Sequence, residues 1–263
     1  MDLEQVKRTC VKAAYEGAAV IRSYFGKLKK ISKKGPIDLV TEADVASEKT
    51  ITEIIRKRYP DHGILAEESG AEKEGSEFLW TIDPLDGTTN FAHGLPIFSI
   101  SIAFSARGKT ELGIILNPVT GELFFAAKGK GAELNGRPVG VSLTEKVSES
   151  LLMTGFPYNF KEIMPSALTR FANCMKASRG VRRLGSAALD LCYVACGRFD
   201  GFWEQNLKPW DTAAGAIIAM EAGAIVTDFS GAPHTVDKNE ILAANSAVHR
   251  EMLLLLEYDK DNA

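Results

Sequence analysis

The chain has little cysteine chemistry to offer. Its four cysteines, Cys10, Cys174, Cys192 and Cys196, form no Cys-x-x-Cys pair, which argues against a thiolate zinc site or a disulfide framework. Cys192 and Cys196 stand four apart on an expected helix, where thiols act as small core residues, and a reducing cytoplasm suits this usage. Histidine is equally sparse: His62, His93, His234 and His249 show no HExxH or HxxxH spacing, which disfavours a zinc protease. No GxSxG elbow occurs. Gly108-Lys109-Thr110 resembles the tail of a phosphate loop, but position 103 is Ala where a glycine is needed, so a hairpin turn is expected. Gly129-Lys130-Gly131 lacks the third glycine of a dinucleotide fingerprint.

Long apolar runs are missing too. The longest, Ala213 to Met220, is far short of a membrane span, and Met1-Asp2-Leu3-Glu4-Gln5 does not read as a signal peptide. There is no basic surplus: 31 Lys and Arg against 34 Asp and Glu give a net charge of −3, which makes nucleic acid an unlikely partner. The one dense basic run, Lys27 to Lys34, reads as a solvated loop. With 45% hydrophobic residues spread through 263 positions, the chain can build a large core.

What is present is patterned. Leu3, Val6, Cys10, Ala14, Ala18, Ile21 and Phe25 predict a first helix ended by Gly26. Thr41-Glu42-Ala43-Asp44 predicts a capping box opening a second helix that stops at Pro60. Phe78 to Asp83 predicts a buried strand. Ile97 to Val141 then predicts antiparallel hairpins, with a turn at Asn135-Gly136. Beyond a boundary near Leu143 to Ser150, helices are expected at Pro165–Ala177, Ser186–Gly197, Asp211–Gly223 and Val248–Tyr258. They alternate with strands at Phe199–Glu204, Ala224–Asp228 and Ile241–Asn245, an α/β pattern. Two parts follow, residues 1–145 and 146–263.

The chemistry concentrates in Trp80-Thr81-Ile82-Asp83-Pro84-Leu85-Asp86-Gly87-Thr88-Thr89-Asn90. Asp83 and Asp86 are expected to face each other across a tight turn forced by Pro84, with Gly87, Thr88 and Thr89 opening a short helix whose amides suit phosphate. Acid pairs at this spacing arise by chance roughly four or five times among so many acids, so the setting carries the argument. Crowded carboxylates need a proton or cations between them, and Mg²⁺ prefers carboxylate, water and phosphate oxygens. Glu67-Glu68 and Asp211 are further candidates. Taken alone, Glu67 reads as a surface acid, Asp211 as a helix N-cap and Asp44 as the partner of Thr41.

Together, WTIDPLDGTTN at 80–90, PWDTAAG at 209–215, DLVTEAD at 38–44 and AEES at 66–69 resemble the inositol monophosphatase family, in its bacterial form, across essentially the whole chain. The resemblance implies an α/β fold, a layered αβαβα sandwich, with the active site between the two parts. It implies Mg²⁺, two or three ions, and a lithium-sensitive phosphatase. Glu67, Asp83 and the Leu85 carbonyl would hold a first ion, Asp83, Asp86 and Asp211 a second, and a third would touch Glu67. Thr88 and Asp44 would orient the attacking water. Gly87 and Thr88 amides would hold phosphate, beside Asp86 and Asp211. Gly185, Ser186, Ala187 and Glu204 would contact the sugar or cyclitol, and Lys33 would approach the metal. Lys208 departs from the histidine of the animal enzymes, and Arg182-Arg183 would contact a phosphate, a neighbouring subunit or only solvent. A homodimer is implied. The expected reaction is hydrolysis of a phosphate monoester, inositol 1-phosphate first. Fructose 1,6-bisphosphate, a nucleotide 3′-phosphate, a two-metal nuclease and a role as a partner of transcription or RNA machinery are the rivals. No aromatic side chain is evident as a base-stacking platform, and strand alternation would turn Phe202 and Trp203 to opposite sides.

Overall fold

The computed structural model describes residues 2–27, 31–33, 39–73, 75–157 and 160–258. Lys29, Lys30, Lys34, Asp38 and the side chain of Lys33 lie outside the described residues. In chain order the elements are α1 (Leu3–Tyr24), β1 (Ile31–Lys33), β2 (Leu39–Thr41), α2 (Glu42–Arg58), β3 (Gly63–Ala66), β4 (Gly70–Glu72), β5 (Phe78–Asp86), α3 (Thr88–Ala92), β6 (Ser99–Ala106), β7 (Lys109–Leu116), β8 (Leu123–Ala127), β9 (Ala132–Leu134) and β10 (Arg137–Val139). After a short 3-10 turn at Val147–Glu149 come β11 (Leu151–Thr154), α4 (Phe160–Ala177), β12 (Gly180–Arg182), α5 (Ala187–Ala195), β13 (Gly201–Gln205), α6 (Pro209–Glu221), β14 (Ile225–Thr227), β15 (Glu240–Ala244) and α7 (Ser246–Leu256).

Side-chain alternation along the strands explains the layering. In the eight-stranded sheet, ordered β10-β9-β8-β7-β6-β5-β3-β4, neighbours are antiparallel except β3 and β5. Ile102, Ile114 and Phe125 face one way and bury the apolar stripe of α1 and α2, from Val6, Cys10 and Ile21 to Ile51 and Ile55. Their neighbours Ala103, Ile115 and Phe124 face the other way, onto Leu189 and Cys192 of α5 and Ala214 and Ile218 of α6. The second sheet, β12-β11-β13-β15-β14, receives the opposite side of the same two helices, where Leu191, Val194 and Ala219 meet Phe202, Ile241 and Ala243. Its far face, with Leu152, Trp203 and Leu242, is covered by Cys174 of α4 and by Val248, Met252 and Leu256 of α7. The five layers are αβαβα, as the resemblance implied. Helices α5 and α6 are accordingly apolar around most of their circumference.

Several expectations need correction. Pro84 does not end its strand: β5 runs on to Asp86, and the register shifts where four residues, Asp83 to Asp86, oppose three, Ser101 to Ser99. A bulge absorbs the missing amide donor of proline without leaving the sheet. The lysine-rich run is not all loop, since residues 31–33 pair with β2. Strands β11 and β12 were not expected. They are short, and β12 has only Val181 as an apolar signal. Helix α4 begins at Phe160, ahead of Pro165, which sits inside it. Asp211 is the third residue of α6, not its cap: Lys208 is the N-cap and its amide donates to Asp211 Oδ2 at 2.6 Å.

One contact tests the central layer. A Cβ added at Gly113 on β7 would lie 2.7 Å from the Ala214 carbonyl oxygen on α6. Backbone cannot yield as a side-chain tip can, so Gly113→Ala should destabilise the fold by about 1–3 kcal/mol. Chemical denaturation checks this, and unchanged stability would contradict close packing of α6 on the sheet.

Candidate active site

The site is built where α2, the β5 bulge and the α5 N-terminus meet. Thr41 and Asp44 form the expected capping box: Thr41 Oγ1 accepts from the Ala43 amide, and Asp44 Oδ2 accepts from the Thr41 amide at 2.9 Å and its hydroxyl at 2.5 Å. Asp44 is fully buried, yet it does more than cap. Its Oδ1 lies 3.0 Å from the Thr88 hydroxyl, which is also 3.0 Å from the Leu85 carbonyl. Ser47, one turn along α2, donates to the Pro84 carbonyl at 3.2 Å and ties the helix to the bulge. Gly87, at φ 98°, turns the chain from β5 into α3. A Cβ there would meet the Ile97 carbonyl at 3.0 Å.

The bulge aims Asp83 and Asp86 at different partners. Asp83, 2% exposed, accepts the Leu85 amide at 2.9 Å. Asp86 Oδ2 accepts the Ser186 hydroxyl at 2.5 Å and the Ala188 amide at 2.9 Å, which binds the first sheet to the start of α5. Glu67 follows β3 directly, and its loop is held by Glu48 of α2, whose carboxylate accepts the amides of Glu68 and Ser69 at 2.8 and 2.9 Å. Sequence reading missed Glu48. The only available signal was an acid at a buried helical position, seven residues after Thr41.

A cavity of about 630 Å³ opens here. Glu67, Asp83, Leu85, Asp86, Gly87, Thr88, Gly185, Ser186, Ala187, Glu204, Lys208 and Asp211 all line it, whereas Asp44 sits behind Thr88. Of the arginine pair, Arg183 reaches the cavity, while Arg182 lies on the edge strand β12. Phe202 and Trp203 do point to opposite sides, into different cores. The cavity nevertheless has aromatic walls, Phe156 and Trp210, which the sequence reading overlooked, along with Asp190, Asn206 and Asn239. Phe156 follows a strand that was not foreseen, and Asp190 is hidden in an apolar helical run.

Burial and mutual repulsion dominate the electrostatics. Desolvation, then Glu67, Asp86 and Asp211, push Asp83 well above the ordinary carboxylate range. Burial lifts Asp86 to about 6 even though Ser186 and Ala188 oppose the shift. Asp211 is raised by burial first and by Asp86 next. Burial raises Asp44 against the pull of Thr41 and Thr88.

The comparisons with known proteins are consistent with this geometry. The model of the inositol monophosphatase family matches residues 2–258. The chain belongs to the inositol monophosphatase family. It is 45% identical over 253 residues to the inositol-1-monophosphatase of Synechocystis, covering 95% of this chain and 88% of that one. It is 44% identical over 232 residues to the Nus factor SuhB of Pseudomonas aeruginosa, covering 86% of each. Among solved structures, the extragenic suppressor protein SuhB of Bartonella henselae superposes with a TM-score of 0.92 at 40% identity, over 96% of this chain and 98% of that one. The family is generally Mg²⁺-dependent. No helix among the described residues is long and apolar enough to cross a membrane.

Among the described residues no three acidic, histidine or cysteine side chains close around one point as they stand. The donor chemistry of this chain nonetheless fits a hard dication: the acids on the wall offer only oxygen, and Glu67, Asp86 and Asp211 each raise the pKa of Asp83. The same crowding sets a pH dependence. A carboxyl whose folded pKa, about 6 for Asp86, exceeds its unfolded value of about 4 binds its proton more tightly in the folded state. Stability with divalent cations chelated should therefore rise as pH falls through this window and be lost as pH rises through it. Thermal denaturation in chelator between pH 7 and 5 measures this. A steady fall in Tm toward pH 5 would show that the acids are not crowded.

Proposed function

We propose that the protein is a Mg²⁺-dependent phosphatase of small phosphate monoesters, with inositol 1-phosphate as the leading substrate, acting in the cytoplasm as a lithium-sensitive homodimer. The observation that carries the reading is the convergence of Glu67, Asp83, Asp86 and Asp211 on one cavity that Thr88, backed by Asp44, also lines. Glu67, Asp83 and the Leu85 carbonyl would hold one ion, and Asp83, Asp86 and Asp211 a second, with a third near Glu67. Held by these residues, Mg²⁺ would supply a lowered pKa for water and neutralise charge on the phosphoryl and leaving oxygens.

The chain's own residues then do the positioning. Thr88 gives its single hydroxyl proton to Asp44 Oδ1, and its lone pairs are left to accept a proton from water in the cavity. Asp44 is in turn fixed by two hydrogen bonds from Thr41, so the water's orientation is set by a buried, preformed chain. Amides of Gly87 and Thr88 donate to the phosphate. Ser186 and Ala187 bound the ring, and Glu204 accepts from its hydroxyls. Lys208 and Arg183 at the rim would favour substrates with further anionic groups, which keeps fructose 1,6-bisphosphate second. Phe156 and Trp210 give a nucleotide bisphosphate more support than the sequence alone did, as third choice. The relatives named Nus factor SuhB support a second role, as a partner of transcription machinery.

A phosphate-release panel over these substrates, with Mg²⁺ and with chelator, tests the reading. Release should require Mg²⁺ and fall with Li⁺ or Ca²⁺. Asp86→Asn should lower turnover about a hundredfold or more by removing one charge from the ion site. Near-normal turnover of that variant at saturating Mg²⁺ would overturn the ion-site assignment, and no Mg²⁺-dependent release from any ester would overturn the phosphatase reading and leave the binding role as the function.

Thr88→Ala tests the water relay separately. It should depress kcat with little change in KM, the pattern of an interaction made only in the transition state. A rise in KM alone would make Thr88 a substrate anchor.

A further inference from the structure

The ring side of the cavity holds an acid with no assigned work. Asp190 lies in the first turn of α5, flanked by Leu189 and Leu191, and is 1% exposed. Its Oδ1 is buried without a hydrogen-bond partner, although the residue lines the cavity. Helix polarity accounts for an acid near this N-terminus, but it does not account for burying one with an orphaned oxygen. Facing it across the cavity is β13, where Glu204 shares the Phe202 face that packs against α5. Glu204 is 7% exposed. Its position is made possible by Gly155: a Cβ there would lie 2.1 Å from Glu204 Oε2. Arg183 reaches the same cavity wall, and its positive charge acts on both acids.

A buried carboxylate oxygen without a donor, beside a second buried acid that lines the same cavity, calls for a ligand rich in donors. A further dication answers this less well, because the Arg183 charge already offsets part of the pair. Vicinal hydroxyls of a polyol answer it directly, each giving one O–H to a carboxylate oxygen. We propose that Asp190 is a second hydroxyl-reading residue, which acts with Glu204 on the seat provided by Gly155 and selects polyol phosphates over hydroxyl-poor esters. This rests on the phosphatase reading above and adds a specificity residue to it.

The test compares kcat/KM for inositol 1-phosphate and p-nitrophenyl phosphate in wild type, Asp190→Asn and Asp190→Ser, with Mg²⁺ titrated in each. The ratio of the two substrates should fall about tenfold in both variants, mainly through KM for the polyol ester. The Mg²⁺ concentration for half-maximal rate should stay within about twofold of wild type. Gly155→Ala, which displaces Glu204 and leaves Asp190 in place, should lower the same ratio. An equal loss on both esters, an unchanged ratio, or a large shift in Mg²⁺ requirement would each overturn the proposal. So would loss of the fold in both Asp190 variants, which would make the residue structural. Absence of Mg²⁺-dependent hydrolysis in wild type is a different result: it would remove the phosphatase reading itself.

Discussion

Repulsion between carboxylates held at one end of β5 is the constraint on which the rest of the molecule depends. Asp83 is nearly sealed from solvent, with Glu67, Asp86 and Asp211 all raising its cost of ionisation. Hydrogen bonds from neutral donors such as the Leu85 amide offset part of that cost, and a proton or a cation offsets the rest. The surrounding fold keeps these acids from drifting apart. Each is fixed by a hydrogen bond to a different element: Asp83 to its own bulge, Asp86 to the start of α5, and Asp211 to the N-cap of α6. Glu48 does the same for the loop that carries Glu67. The stability given up to hold like charges together is supplied by the five stacked layers.

Much of this was legible in the residues. Helical periodicity located α1 and α2, and alternation located the hairpins from Ser99 onward, because each of these elements buries one face and exposes or buries the other differently. The metal-type acids were legible through their company: Asp83, Asp86, Glu67 and Asp211 each have an ordinary explanation when read singly. The WTIDPLDGTTN and PWDTAAG segments gave the pattern that made those explanations less economical.

The failures have physical causes. Proline was read as a strand breaker at position 84 because a one-residue bulge leaves no mark in composition, and it was read as a helix start at 165 for a similar reason. Strands β11 and β12 are only four and three residues long, and the second sheet that surrounds them supplies the order that their own sequence does not. Asp190 and Phe156 were missed because their place on the cavity comes from elements brought together over long separations. Nothing adjacent in sequence marks a residue of α5 as facing β13.

The double duty of Asp86 has a wider consequence. One oxygen of this carboxylate is already engaged by Ser186 and Ala188 at the mouth of α5. Charge drawn toward its other oxygen weakens that grip, and a tighter grip makes the other oxygen a poorer donor. Ser186 and Ala187 border the space where the ring would sit. Under the proposed function the two ends of the site would be thermodynamically linked through one side chain: whatever fills the ionic end would retune the affinity of the ring end, and by reciprocity the reverse. Such linkage needs no moving domain, since a single carboxylate shared between the first sheet and the start of α5 transmits it.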